Sequence, residues 1–306
     1  LLHFENRQMD HDGNGDGFMD MPKLRQYNLM HRWAYVSPRW ISQLMVRGLH
    51  DEREGGQSRK HLAASSSEPL YSTSVKTNRY EMQWKNGFTI NADHNTSIAL
   101  MLHGSWHDAD NMFGKTQYDV TQKNGYAQLM FETDITEKHN ISVGASLNHD
   151  YYDERFNPFG TLPKAESKVT KETTPGLYTQ YTYKLGDKLT VMPGVRWDYS
   201  NLYGSFFTPR LHIKYSPSKI VTLRTSVGKG YRSPHALAEN VTLLASGREI
   251  VIDSDLKHEE AWNMGASLGF NIPLFGKNLE LNAEYYYTDF KHQMIMNFDG
   301  AKGSHT

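Results

Sequence analysis

Five oxygen-bearing side chains fall within the short stretch DHDGNGDGFMD: Asp10, Asp12, Asn14, Asp16 and Asp20. Carboxylates at this spacing repel one another unless a hard cation lies between them, so calcium is the first chemistry to consider. Asp12, Asn14 and Asp16 alternate along a turning loop and can converge, and Gly13, Gly15 and Gly17 permit the positive φ angles that such a turn needs. Met19 follows as an apolar anchor.

From Asp12 the run D-x-N-x-D-G-x-x-D matches the first half of an EF-hand calcium loop, with Gly17 at the sharp turn. Its second half departs: Lys23 stands where a bidentate Glu belongs, and Pro22 interrupts where a helix would start. The expectation is an isolated structural calcium loop over 10–23, against the alternative of a solvated acidic turn. Catalytic sets are missing from the rest of the chain. Its 15 histidines are scattered, and neither H-E-x-x-H nor G-x-S-x-G occurs. A non-enzyme is expected.

The elements that must carry these residues read as strands. No apolar run approaches the roughly 18 residues of a membrane helix, and mean hydropathy is −0.66. Net charge is −1, which gives no global field to recruit nucleic acid. Cysteine is absent, so there are no disulfides or thiolate metal sites. From residue 78 onward the chain alternates: Ile141, Val143, Ala145 and Leu147 oppose Ser142, Gly144, Ser146 and Asn148. Twelve strands are expected, near 24–36, 39–49, 78–90, 97–107, 124–134, 141–152, 173–184, 189–200, 207–215, 220–231, 259–272 and 278–298. Short turns (Ser37-Pro38, 134–140, 185–188, 216–219, 275–278) alternate with long polar stretches at 51–77, 108–123, 153–174 and 232–257. That sorting suits an antiparallel transmembrane β-barrel, with short turns at one end and long loops at the other. Tyr181, Tyr183, Trp197, Tyr199, Tyr215, Tyr285 and Tyr287 fall where interfacial girdles belong. Val195, Trp197, Leu223, Val227, Leu281 and Tyr285 should then face lipid, and Arg196, Asp198, Arg224 and Glu284 the lumen.

Residues 191–240 carry a resemblance. P-G-x-R-x-D at 193–198, T-P-R-L at 208–211, the Ser216-Pro217 turn and R-x-S-x-G-x-G-Y-R-x-P-x-x-x-x-E from Arg224 to Glu239 resemble the C-terminal half of TonB-dependent outer-membrane receptors. Leu256, Glu259, Asn263 and Gly265 match the family's next strand, with His258 where Pro is usual, and the DGNGDGFMDMP loop is similar to those of Bacteroidetes receptors. The resemblance implies a 22-stranded barrel of which 1–306 is about half, with the plug domain absent from this chain. It implies an active transporter for a scarce nutrient, a siderophore, cobalamin or haem, in the outer membrane of a Gram-negative bacterium. Implied partners are the TonB complex through a plug, the small-molecule nutrient, outer-membrane lipid and a surface lipoprotein. Arg224, Arg232, His235 and Glu239 are the residues expected to touch ligand or plug, the alternative for Arg232 being to snorkel at the rim. The opening LLHFENRQMD lacks a signal-peptide pattern, and AKGSHT resembles mid-loop sequence, so a fragment of a longer product is expected. Competing readings are a self-contained twelve-stranded pore and a soluble calcium-stabilised β-protein that binds carbohydrate.

Overall fold

The computed structural model describes residues 1–58, 70–248, 250–253 and 256–297. Thirteen strands form one antiparallel sheet in which each strand pairs with the next in sequence. They are β1 (Leu2–Arg7), β2 (Lys23–Val36), β3 (Trp40–Gly56), β4 (Ser72–Asn91), β5 (Thr96–Phe113), β6 (Thr116–Thr136), β7 (His139–Asn157), β8 (Glu166–Leu185), β9 (Leu189–Ser200), β10 (Gly204–Tyr215), β11 (Val221–Arg232), β12 (Glu259–Leu274) and β13 (Lys277–Lys291). A meander of this kind follows from the alternation and the tight turns. At Phe275-Gly276, for example, both residues have positive φ, which matches the twist of the flanking strands.

Two corrections to the sequence reading concern the strands. The strand count rises from twelve to thirteen because β1, only six residues long, pairs with β2 from Leu2↔Leu29 to Arg7↔Leu24. Two of the four expected long connections, 108–123 and 153–174, are largely strand, and the described ends of a third, 51–77, are strand as well. The stretch 108–123 is a hairpin closed by Gly114-Lys115, while 51–77 and 153–174 contribute the ends of β3 and β4 and of β7 and β8. At 21 residues β6 is the longest strand, about 70 Å along its length and about 50 Å when tilted ~45°, twice the ~25 Å apolar band of an outer-membrane barrel. These hairpins therefore project well beyond the bilayer. There both faces meet water, and the apolar–polar alternation fades.

The sheet's faces are sorted in reverse of a water-soluble core. Six apolar residues are buried among the described residues against fourteen polar or charged ones, so burial here is mainly of hydrogen-bonded groups. Large apolar side chains lie open on the other face: Trp33 at 52%, Leu129 at 49%, Trp197 at 46% and Leu281 at 48% exposure. Such a continuous apolar surface far exceeds the patches that soluble monomers carry. The polar face is concave, because the segment joining β11 to β12 lies against β5, β6 and β7, strands that only curvature can bring so near. Val195, Trp197, Leu223, Leu281 and Tyr285 stand on the outer face as expected. Arg196 and Asp198 point inward: Arg196 bonds both Asp198 oxygens at 2.6–2.7 Å and reaches Ser146 on β7 at 2.7 Å. Gly176 lies between them on β8. A Cβ there would fall 1.9 Å from the Asp198 carboxylate, so only glycine allows this crossing.

Aromatic residues mark two levels on the outer face. Tyr35, Trp40, Phe88 and Tyr215 lie by the short-turn end, and Tyr27, Tyr80, Trp106 and Tyr199 lie higher, with Tyr80 stacked on Trp106 at 5.6 Å. From Trp40 to His50, beside Tyr27, the strand rises about 33 Å, or roughly 24 Å along a tilted axis, close to the apolar thickness. No helix among the described residues is long and apolar enough to cross a membrane.

Candidate functional site

The described residues between Ser233 and His258 form a true loop, and they fold inward. Proline at 234 cannot donate to a ladder, which ends β11, and a single turn of helix, α1 (Ala236–Glu239), is followed by a 3-10 segment over Val241–Ser246. Leu237, Ala238, Val241, Leu244 and Ile250 pack on Val75, Ala109, Phe113, Tyr118, Val120, Tyr152 and Phe156 of the inner wall. Leu244 is 4% exposed and Tyr118 1%. Fully burying one such side chain contributes about 1.5–3 kcal/mol, enough in sum to hold a loop of this length. Tyr71 adds a hydrogen bond to the Ala245 carbonyl at 3.2 Å.

The loop's ends are clasped by charge and aromatic stacking. Arg232 is ion-paired with Glu239 at 3.0 Å and bonded to Glu259 through Nε at 2.7 Å. The His235 backbone N–H donates to Glu239, and its ring stacks on Tyr152 at 3.8 Å. His258, 5% exposed, lies among Tyr203, Phe206 and Tyr231 at 4.0–5.2 Å. Its Nε2 is 3.1 Å from the Ser233 hydroxyl and 4.0 Å from Glu172, while Nδ1 meets no partner among the described residues. Burial lowers its pKa, partly opposed by Glu172 and Glu260. Glu172 is itself buried and accepts the Ser200 hydroxyl at 2.6 Å.

Between loop and wall lies a cavity of about 460 Å³, lined by Glu154, Glu166, Lys168 and Glu172 on β7 and β8, and by Tyr203, His235 and Leu237 among others. Burial and then Asp150, Glu239, Glu154 and Glu172 push the Tyr152 phenol up to about 12, and burial with Glu172 raises Tyr203.

The expected contact residues divide. Arg232, His235 and Glu239 come together at this mouth, whereas Arg224 lies toward the short-turn end, in a second hollow of about 500 Å³ with Lys214, His212 and Glu284. Glu154, Glu166, Glu172, Tyr152, Tyr203 and His258 were not singled out by the sequence reading. The first four share one parity on β7 and β8, with Tyr152↔Thr170, Glu154↔Lys168 and Phe156↔Glu166 facing across the pair, a signal hidden by reading 153–174 as loop, whereas Tyr203 sits in the turn between β9 and β10. His258 was visible only as a replacement for proline.

The acidic run connects β1 to β2. Asp12 accepts Gly15 N–H at 2.7 Å and Gly17 N–H at 3.0 Å, Asn14 and Asp16 bond each other at 2.9 Å, and Asp20 accepts Gly13 N–H at 2.7 Å. Gly15 and Gly17 have positive φ, at 74° and 88°; Gly13 does not, and its lack of a side chain instead admits Asp20, 3.0 Å from a built Cβ. Phe18 and Met19 stitch the loop to Gln57 and Gly56 at the end of β3. Among the described residues no three Asp, Glu or His side chains are gathered for a metal ion.

The family model for the TonB dependent receptor-like β-barrel matches residues 10–304. An iron-regulated outer membrane virulence protein of Vibrio cholerae is 22% identical over 216 residues, 67% of this chain and 32% of that protein. A mutant of the ferric enterobactin receptor PfeA of Pseudomonas aeruginosa superposes with a TM-score of 0.63 at 14% identity, covering 94% of this chain and 45% of that one. The siderophore receptor PirA of the same organism gives 0.61 at 10% identity, covering 99% and 58%. The chain thus spans about a third of the curated relative and about half of these solved structures. An exposed apolar outer face, a polar concave wall and a family match over nearly every residue converge: the chain belongs to the TonB-dependent receptor β-barrel family and resides in the outer membrane of a Gram-negative bacterium.

Proposed function

We propose that this chain forms the wall and part of the external mouth of an active importer for an iron chelate. The observation that carries the reading is the loop at 233–258, folded inward at the long-loop end so that a polar cavity opens to arriving cargo. Support for iron over cobalamin or haem comes from relatives described as iron-regulated or as siderophore receptors. The open edges at β1 and β13 would be costly in lipid, so further strands close the barrel toward the family's 22. A plug held inside would receive energy from the TonB complex, and Arg224 in the lower hollow is placed to touch it. In iron-limited cells, deleting the gene should abolish uptake of at least one radiolabelled ferric chelate, restored by the complete receptor; unchanged uptake of every chelate tested would defeat the reading.

The acidic loop supports a second, smaller proposal, a structural calcium ion held by Asp12, Asn14 and Asp16 with Asp10 and Asp20 nearby. An all-oxygen donor set suits a hard cation. Proteolysis within residues 8–22 of the purified receptor should quicken when calcium is chelated, and an unchanged rate would reduce the run to a hydrogen-bonded turn.

A further inference from the structure

The mouth cavity has a charge character that differs from an anion site. Its lining carries the carboxylates of Glu154, Glu166 and Glu172 on the strand wall against Lys168, which faces Glu154 directly across β7 and β8. Arg232, at the end of β11, is engaged by both Glu239 and Glu259 and so adds no net positive charge. Tyr152, which stacks on the lining His235, has its phenol raised first by burial and then by Asp150, Glu239, Glu154 and Glu172. Aromatic faces complete the lining: Phe156, Tyr203 and the His235 ring stacked on Tyr152. Carboxylates combined with aromatic rings are the chemistry that recognises an organic cation, through ion pairing and attraction to the ring quadrupole. A volume of about 460 Å³ lies within the range of small-molecule sites and accommodates such an arm of a chelate.

We propose that this cavity is a subsite for a cationic arm, an ammonium or a guanidinium, carried by the imported chelate. The receptor accordingly favours cationic over neutral and neutral over anionic complexes. The inference rests on the chelate-uptake reading for its cargo, but the cavity's preference for organic cations can be tested without it.

The experiment measures binding to the complete receptor in detergent with four probes. These are a ferric trihydroxamate bearing a free ammonium, its N-acetylated neutral counterpart, an anionic ferric tricatecholate, and spermidine without metal. The ammonium probe should bind at least about tenfold more tightly than the acetylated one. Glu154→Gln with Glu166→Gln should erase that difference, and Lys168→Gln should widen it. Equal affinities for the two hydroxamates, tighter binding of the tricatecholate, or insensitivity of the difference to both sets of variants would overturn the proposal. Should no ferric complex bind, the iron reading fails on its own and spermidine decides the cavity. Binding of spermidine that the double variant weakens by about tenfold supports it, and absence of binding removes it.

Discussion

The two ends of this barrel wall are held by opposite means. Toward the short turns the inner face is polar, the outer face apolar, and stability comes from ladder hydrogen bonds and from lipid around Leu129, Leu177 and Val195. Above the upper aromatic level both faces meet water, and there a compact apolar cluster centred on Leu244 and Tyr118 closes beneath the loop. One end thus uses lipid as its hydrophobic partner, whereas the other must supply its own. Substitutions that separate these two solvents test the comparison.

The largest effect is expected at the cluster. Leu244→Ala removes a side chain that is 4% exposed and should destabilise the closed loop by about 2–5 kcal/mol, read as faster amide exchange over 233–258 with the thermal unfolding of the barrel little changed. Equal loss of protection in the loop and in β9 would show that the two ends are one cooperative unit.

Next comes the lipid-facing wall. Leu129 on β6 is seven residues above the 137–138 turn, near the middle of the apolar band, so Leu129→Arg should cost about 2–4 kcal/mol. Leu223 pairs with Tyr215 at the lower rim of the barrel, and Leu223→Arg should cost only about 0–1 kcal/mol. Refolding into lipid vesicles measures both, and equal costs would contradict the assigned depth.

The smallest effect is one of pH. Burial holds the His258 pKa below its ordinary 6.5, so a displaced loop binds the proton more readily than the closed one. The closed loop is therefore fully stable above 6.5 and weakens as pH falls through that value and below. Proteolysis of 233–258 should quicken from about pH 7.5 to about pH 5.5, and His258→Gln should flatten that dependence. A dependence that survives the substitution would assign it to another group.

The comparison also explains what could be read in the sequence. Strands at lipid depth announced themselves, since Val195 and Trp197 against Arg196 and Asp198 can sit only between an apolar and a polar solvent. The same strands became unreadable above the membrane, where Lys123 and Asp153 face outward as readily as Glu154 and Lys168 face inward. That is why 108–123 resembled a loop and the carboxylates of the mouth went unnoticed. The inward fold of the loop depends on contacts with strands some eighty or more residues away, which no local pattern encodes. Arg232, His235 and Glu239 were legible as near neighbours, but the pairing of Arg232 with Glu259 was not.

The central claim, that 233–258 lies at the external mouth and is folded onto the inner wall, can be tested directly because this chain has no cysteine of its own. Single substitutions Ser246→Cys, Leu244→Cys and Lys219→Cys would be probed with a membrane-impermeant maleimide on whole cells and after permeabilising the outer membrane. The account predicts rapid labelling at 246 in intact cells, slow labelling at 244 under both conditions, and labelling at 219, in the short turn between β10 and β11, only after permeabilisation. Labelling of 219 in intact cells, or of 244 as fast as 246, would contradict it.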